Sequence, residues 1–486
     1  MAKGFNNELY LKIQKEEIKK RIELFNSKLY LEFGGKLFDD YHASRVLPGF
    51  DPNSKIKILE SFKDDVEVIF CINSKDIEKK KIRADYGITY DMELIRLINI
   101  LKSMDIFVSS VVVTLYNGQP SIDKFRKVIE NMGVKTYVHY KTLGYPTDID
   151  TIVSEKGYGK NEFIKTTRKL VVVTAPGPSS GKLATCLSQL YHENKLGTIA
   201  GYAKYETFPV WNLSLRHPVN MAYEAATADL HDINMIDPFH LEAYGVSAVN
   251  YNRDIATFPI LKNILEKIMK EDLYKSPTDM GVNMVGFCID NNEAIIKASK
   301  EEIVRRYYNA LVDEKLEKVN EETPQLIKVL MNELKIDSSI RPVIKACLDK
   351  NKLVNKGVVA LKLDDSKIVT GKETELLSPA SSMILNAIKE LTNIPDDVYL
   401  LSPSVLKPIL ELKKQVSNES ILNLHEVLIA LSICSVTNPI IVTALENMKK
   451  LENCDAHSSY ILDSLEIKLL KSLKINITSE PVFSDN

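Results

Sequence analysis

The sequence is poor in the features that mark a specialised class of protein. It has one tryptophan and six cysteines in 486 residues. Cys71, Cys186, Cys288, Cys347, Cys434 and Cys454 are dispersed, with no Cys-x-x-Cys pair, which excludes a disulfide framework and a ribbon-type zinc site and reads as reduced thiols in a cytoplasm. There is no excess of charge: 63 Lys and Arg stand against 65 Asp and Glu, a net charge of -2, so no large basic field offers itself to a nucleic-acid backbone. The N-terminus carries no apolar core of a secretory signal. The one long uncharged run, Val427 to Leu445, approaches the roughly 20 residues of a membrane span. It is divided by Asn438-Pro439, interrupted by Ser432, Ser435, Thr437 and Thr443, and lacks aromatic or basic flanks, so no membrane span is expected. It reads as two buried helices, the second capped by Asn438 with Pro439 at its first position. No internal repeat or low-complexity segment is present.

What is present is ordinary globular composition, 45% apolar and 26% charged. The length exceeds the roughly 250 to 300 residues that one core serves, so two or three domains are expected. After an amphipathic helix from about Glu8 to Asn26, Val- and Ile-rich runs such as VEVIFCI, FVSSVVVTLY, KLVVVTA and GTIAGYAKYETF alternate with helical stretches. That alternation predicts an α/β fold with a mainly parallel sheet over residues 1–261. Residues 262–352 turn almost wholly helical and are expected as a helical middle domain. KGVVALKLDD and KIVTGKE, with a turn at Asp364-Asp365-Ser366, then open a C-terminal α/β domain over residues 353–486.

The sharpest motif is VVTAPGPSSGKLATC. An apolar run, a Gly/Pro/Ser turn and a Gly-Lys pair opening a helix stand in the order of a phosphate-binding loop. Gly177 and Gly181 would let backbone N–H groups approach a phosphate, the helix N-terminus adds partial positive charge, and Lys182 supplies a point charge. Ser179, Ser180 and Thr185 offer hydroxyls. Two places of the full pattern are missing: Pro176 stands where its first glycine belongs, and Leu183 where a magnesium-binding Ser or Thr belongs. The loop resembles that of uridine-kinase-type kinases with one serine deleted, and RHPVNMAYEAATADL resembles the His-Pro segment that follows it there. The plainer reading is a strand-to-helix turn with a solvated lysine.

The densest polar stretch runs from Trp211 to Asp254 and holds His217, His231 and His240 among many carboxylates. Such a mixture suits a divalent cation or acid–base work. On a helix, Asp229 and Asp232 would share a face. Arg253 in NYNRD could clamp a phosphate. His240-x-Glu242 has the form seen in zinc deaminases, but no Pro-Cys-x-x-Cys follows. Against this, IDPFHLEAYG also reads as a helix start with Asp237 as cap and Pro238 at its first position. EFGGKLFDDYHASR pairs a Gly-Gly turn with Lys36, and CDAH at residues 454–457 is at most half a zinc site.

Taken together, EFGGKLFDDYHASRVLPGF, IRADYGITYD, VVTAPGPSSGKLATCLSQLYHE, HPVNMAYEAATADL, IDPFHLEAYG, AVNYNRD and CDAHSSYIL resemble the bacterial family called domain of unknown function 1846, or uncharacterised protein family 0371. The resemblance covers nearly the whole chain. It implies a cytoplasmic protein with an α/β portion, a helical middle and a C-terminal α/β domain, and brings no established activity. A peptidase label carried by some members gains little here, since His425-Glu426 is followed by VLI and not by a second zinc-binding histidine.

The residues thus predict a nucleotide- or phosphometabolite-binding enzyme, with a P-loop-like phosphotransferase using ATP and Mg as its most specific form. In it Gly177, Ser179, Ser180, Gly181 and Lys182 cradle phosphate, Asp229, Asp232 and His240 serve metal or base roles, and Arg253 neutralises transferred charge. The alternatives are a nucleotide-independent hydrolase, lyase or isomerase acting on a phosphorylated small molecule, and a non-catalytic assembly protein. A homo-oligomer is expected, as is common for such proteins.

Overall fold

The runs of Val, Ile and Leu that read as strands come together in one seven-stranded sheet. In a computed structural model, which describes residues 3–25, 28–83, 87–419 and 421–484, its strands are β1 (Lys28–Phe33), β2 (Val66–Asn73), β3 (Phe107–Thr114), β4 (Lys135–Val138), β5 (Leu170–Thr174), β6 (Ala200–Tyr205) and β7 (Gly281–Val282). Asn26 of the first expected helix, and Ala84 to Tyr86 of the IRADYGITYD segment, lie outside the described residues. The strand order is β7-β6-β1-β5-β2-β3-β4, and every pairing is parallel. Covered on both faces, the inner strands need apolar side chains on both sides, and all five residues of β5 are buried. Helices Tyr90–Ser103, Pro120–Asn131 and Lys182–Lys195 make the crossovers β2→β3, β3→β4 and β5→β6.

The order carries a reversal. From β2 the chain moves outward to β3, whereas from β5, the neighbour of β2, it moves the opposite way to β6. Neighbouring strands whose connections diverge leave a crevice at their carboxyl ends, the usual ligand position in open α/β sheets.

The sheet belongs to a unit of residues 2–224 and 232–299; residues 225–231 and 300–486 form a second unit. Residues 262–352 are mostly helical, as read, and are shared between the two, the Asn292–Lys315 helix running across the division. In the second unit β8 (Val358–Lys362), β9 (Ile368–Lys372), β10 (Asp455–Ser458) and β11 (Asn476–Ser479) pair in the order β9-β8-β10-β11. A Cβ on Gly371 of β9 would lie 2.0 Å from the backbone N of Met383, so only glycine lets the Pro379–Thr392 helix lie against this strand.

Between Val427 and Leu445 the helices are Leu424–Cys434 and Pro439–Asn447, the second capped by Asn438 as the sequence predicts. They are not fully buried. Val427, Ala430, Leu431, Ile441 and Ala444 face the core, while Ile429, Ile433, Ile440 and Val442 are exposed, because each helix turns only one stripe inward. Among the described residues no helix is long and apolar enough to cross a membrane.

Candidate functional site

The turn Ala175–Gly181 leaves the central strand β5 at the reversal point and opens the Lys182–Lys195 helix. Its two glycines are required by close neighbours. A Cβ on Gly177 would stand 2.3 Å from Tyr90 Cε1, and one on Gly181 would stand 2.9 Å from Thr114 Cγ2, at a left-handed φ of 82°. The carbonyls of the turn are held by donors from elsewhere. Arg83 donates to Pro176 O at 3.2 Å, Asn73 Nδ2 to Ser179 O at 3.3 Å, and Thr114 Oγ1 to Ser180 O at 2.8 Å.

Gly181 stands at the N-cap of the helix that follows and has no side chain to cap it, so the N–H groups of its first turn lack the cap side chain a helix start usually has. Beside them Ser180 is 2% exposed, and its Oγ meets no hydrogen-bond partner among the described residues. A buried hydroxyl left so costs free energy unless something else occupies it. Lys182 lies 3.9 Å from Glu32 Oε1 and is largely shielded. Gly177, Ser179, Ser180, Gly181 and Lys182 thus share this one turn and the helix start after it, with Ser179 exposed at a φ of 53°.

Thr185 is not part of this group. Its Oγ1 is buried and accepts from Cys71 Sγ at 3.4 Å, with His139 Nδ1 at 3.5 Å. Burial holds the His139 imidazole down to about 4 and pushes the Cys71 thiol up to about 12, so neither serves as base or nucleophile near neutrality.

The polar stretch resolves into scaffold. Asp229 and Asp232 do not share a helix face. Asp229 is exposed on a short 3-10 turn, His231 follows in a left-handed conformation, and Asp232 lies beyond it in the other unit. Arg253 is tied to the buried Asp232 carboxylate at 3.0 Å. Asp237 caps its helix by accepting from the N–H groups of Phe239 and His240.

His240 Nδ1 meets Ser276 Oγ at 3.0 Å, with Asp279 Oδ1 3.8 Å from the same nitrogen. These are the residue types of a hydrolase triad, but a triad places nucleophile and acid on opposite ring nitrogens. Ser276 is instead fully buried and forms a capping box with Asp279. Among the described residues no group of three or more His, Cys, Asp or Glu is placed to hold a metal. Near Gly34-Gly35, Lys55 donates to the carbonyls of Gly34 and Lys36 and pairs with Asp40, so an internal cation organises that turn.

A cluster of charged residues that the motifs do not point to lies at the carboxyl ends of β1 and β6. Glu32 pairs in register with Lys204, which places both side chains on one face of the sheet. Tyr202, two residues earlier on that face, donates to Glu32 Oε2 at 2.9 Å. Lys204 Nζ contacts Glu206 Oε1 at 2.8 Å and Asp254 Oδ2 at 2.5 Å. Burial would lower the Lys204 ammonium, but Glu206 and Asp254 outweigh it and hold it well above the usual lysine range. Burial, with the Asp254 and Glu32 carboxylates adding to it, raises Glu206 against the pull of Lys204. The signal available in sequence was position: charged residues ending the apolar strands KLYLEF and AGYAKY.

Two family models match, "Domain of unknown function DUF1846, N-terminal" over residues 3–335 and its C-terminal counterpart over residues 339–486. A UPF0371 protein of Clostridium botulinum (strain Eklund 17B / Type B) is 52% identical, the match covering 99% of this chain and 98% of the relative. UPF0371 proteins of Streptococcus pyogenes serotype M5 and Streptococcus thermophilus (strain ATCC BAA-250 / LMG 18311) are 51% identical over the same shares. With both models matched in sequence order and half of all positions identical in such relatives, the chain belongs to the bacterial DUF1846 (UPF0371) family.

Proposed function

We propose that this protein is an enzyme that holds the phosphate of a small phosphorylated metabolite at the Ala175–Lys182 turn and acts on it without a nucleotide. The observation that carries the reading is the uncapped helix start beside the buried, unpartnered Ser180 hydroxyl. Backbone N–H groups, one hydroxyl and the Lys182 ammonium are the donor set that phosphate recognition uses. The outward-held carbonyls of Pro176, Ser179 and Ser180 keep acceptor oxygens engaged elsewhere.

Magnesium–nucleotide phosphotransfer draws less support. Leu183 stands at the metal-binding hydroxyl's place, and the next hydroxyl on the helix, Thr185, is committed to Cys71 and His139. The acidic and basic groups at the ends of β1 and β6 suit proton-transfer chemistry of the lyase or isomerase kind.

Thermal denaturation with inorganic phosphate, phosphorylated sugars and hydroxy acids, and ATP with and without Mg, tests the reading on wild type and Lys182→Ala. A phosphate compound at a hundred times its dissociation constant stabilises by about 2.7 kcal/mol. The expected outcome is a Mg-independent stabilisation by phosphorylated metabolites that Lys182→Ala abolishes. Stabilisation by Mg-ATP alone, or one indifferent to Lys182, refutes it.

A further inference from the structure

The charged groups beside the turn do not balance. Glu32, Glu206 and Asp254 supply three carboxylates against the two ammoniums of Lys182 and Lys204. Lys182 lies close to Glu32, and Lys204 close to Glu206 and Asp254, each pair partly shielded from water. A dianion arriving at the turn therefore meets one surplus negative charge. The least costly remedy is a proton on one carboxylate.

Glu206 is the group built to take it. A Cβ on Gly281 of the neighbouring strand would stand 2.6 Å from Glu206 Oε2, so the glycine leaves the space this carboxyl fills. The charged and titratable groups around it are Lys204 on its own strand, Glu32 on the next strand, Asp254 on the Asn252–Met269 helix, and Tyr251 just before that helix. Only Lys204 favours the ionised form, and it is shared with Asp254.

We propose that Glu206 is the general acid–base group of this site and takes up a proton when an anionic substrate binds at Ala175–Lys182. The inference rests on the phosphate-binding reading above and adds the chemistry to it. In the acid step the Oε–H bond of Glu206 breaks as a bond forms between that proton and a substrate oxygen or carbon. The bond's electron pair stays on the carboxylate, where the Lys204 ammonium balances it. The reverse transfer returns the proton, so an isomerisation needs no further reactant. The substrate class is a phosphorylated carbonyl or hydroxy compound, with its phosphate on the turn and its reacting atoms toward the end of β6.

The test uses sulfate, a dianion that does not titrate near neutrality, in isothermal calorimetry on the full-length protein between pH 6 and 8. Two buffers of different ionisation enthalpy report protons taken up. Wild type is expected to bind sulfate with proton uptake, its affinity falling as pH rises by at most about tenfold per unit. Glu206→Gln is expected to bind with heat independent of buffer and a flat pH profile. Buffer-independent heat in wild type, or uptake that persists in Glu206→Gln, overturns the role of Glu206 while leaving the anion site standing. Absence of sulfate binding to wild type removes the site itself. Should Glu206→Gln fold poorly, the wild-type comparison still decides, and Asp254→Asn, which removes a neighbouring negative charge, is expected to diminish the uptake.

Discussion

Replacing Ser180 with alanine tests the site through opposite effects on stability and on binding. The Ser180 hydroxyl is buried with no partner among the described residues, and a buried polar group left unpaired costs about 1–3 kcal/mol. Alanine removes the oxygen, keeps the Cβ and leaves the Ser180 carbonyl bond to Thr114 in place. The ligand-free protein should therefore gain about 1 kcal/mol, a rise of roughly 2–4 °C in melting temperature for a unit of this size. A hydrogen bond to a charged group is worth about 1.5–3 kcal/mol, so phosphate affinity should fall roughly ten- to hundredfold. Differential scanning calorimetry with and without inorganic phosphate reads both effects in one experiment. A Ser180→Ala protein that melts lower than wild type without ligand would mean the hydroxyl is satisfied within the fold. Unchanged phosphate affinity would mean it faces no ligand. Either result refutes the reasoning.

Two further predictions concern the second unit. Asp455 accepts from Arg305 Nε and from Arg341 Nε and Nη2, each at 2.9 Å, with all three residues buried; Asp455→Asn leaves Arg341 with no ion-pair partner among the described residues and should cost about 3–5 kcal/mol, lowering the melting temperature by on the order of 10 °C. Burial alone would raise the Asp455 carboxyl, but Arg341 and Arg305 outweigh it and hold it below the usual range. Its contribution is thus complete above about pH 4 and is lost as pH falls through the lowered value; denaturant titrations of the variant should show a weaker pH dependence below pH 4 than wild type. Gly371→Ala places a Cβ 2.0 Å from Met383 N and 2.5 Å from Pro379 O, so the Pro379–Thr392 helix must shift. A loss of about 3 kcal/mol or more in urea unfolding is expected.

The parallel sheet was legible because a strand buried on both faces must be almost wholly apolar, as LVVV of β5 and VIFCI of β2 are; the exception in β2, Glu67, accepts from the Arg168 N–H at 2.7 Å. The turn Ala175–Lys182 was legible as one candidate group because its residues are contiguous. β10 was not, since its sequence DAHS is polar; Asp455 there is neutralised by arginines more than a hundred residues earlier, and His457 is held by Thr478 and Glu480. The Trp211 to Asp254 stretch misled because caps and catalysis use the same residue types, and Asp237, Ser276 and Asp279 spend theirs on helix starts. Glu32, Lys204 and Glu206 escaped for the converse reason. Each is a lone charge at the end of an apolar run, and only the register of β1 against β6 makes them a group.

The same register gives a meaning to the hydroxyl missing after Lys182. In a nucleotide-binding loop the hydroxyl after the lysine recruits a magnesium ion, and the ion absorbs phosphate charge. Here that place is Leu183, while the helix's next hydroxyl is turned into the core. The charge of a bound phosphate must then be met by protein groups. Lys182 is the nearest, but Glu32 already draws on it, and Lys204 is divided between Glu206 and Asp254. On this reading a proton does what the metal does elsewhere. It cancels one carboxylate of the network when the anion arrives, and it is then in place for transfer to the substrate. A site arranged so gains a general acid at the moment of binding, which a magnesium-bound loop does not provide.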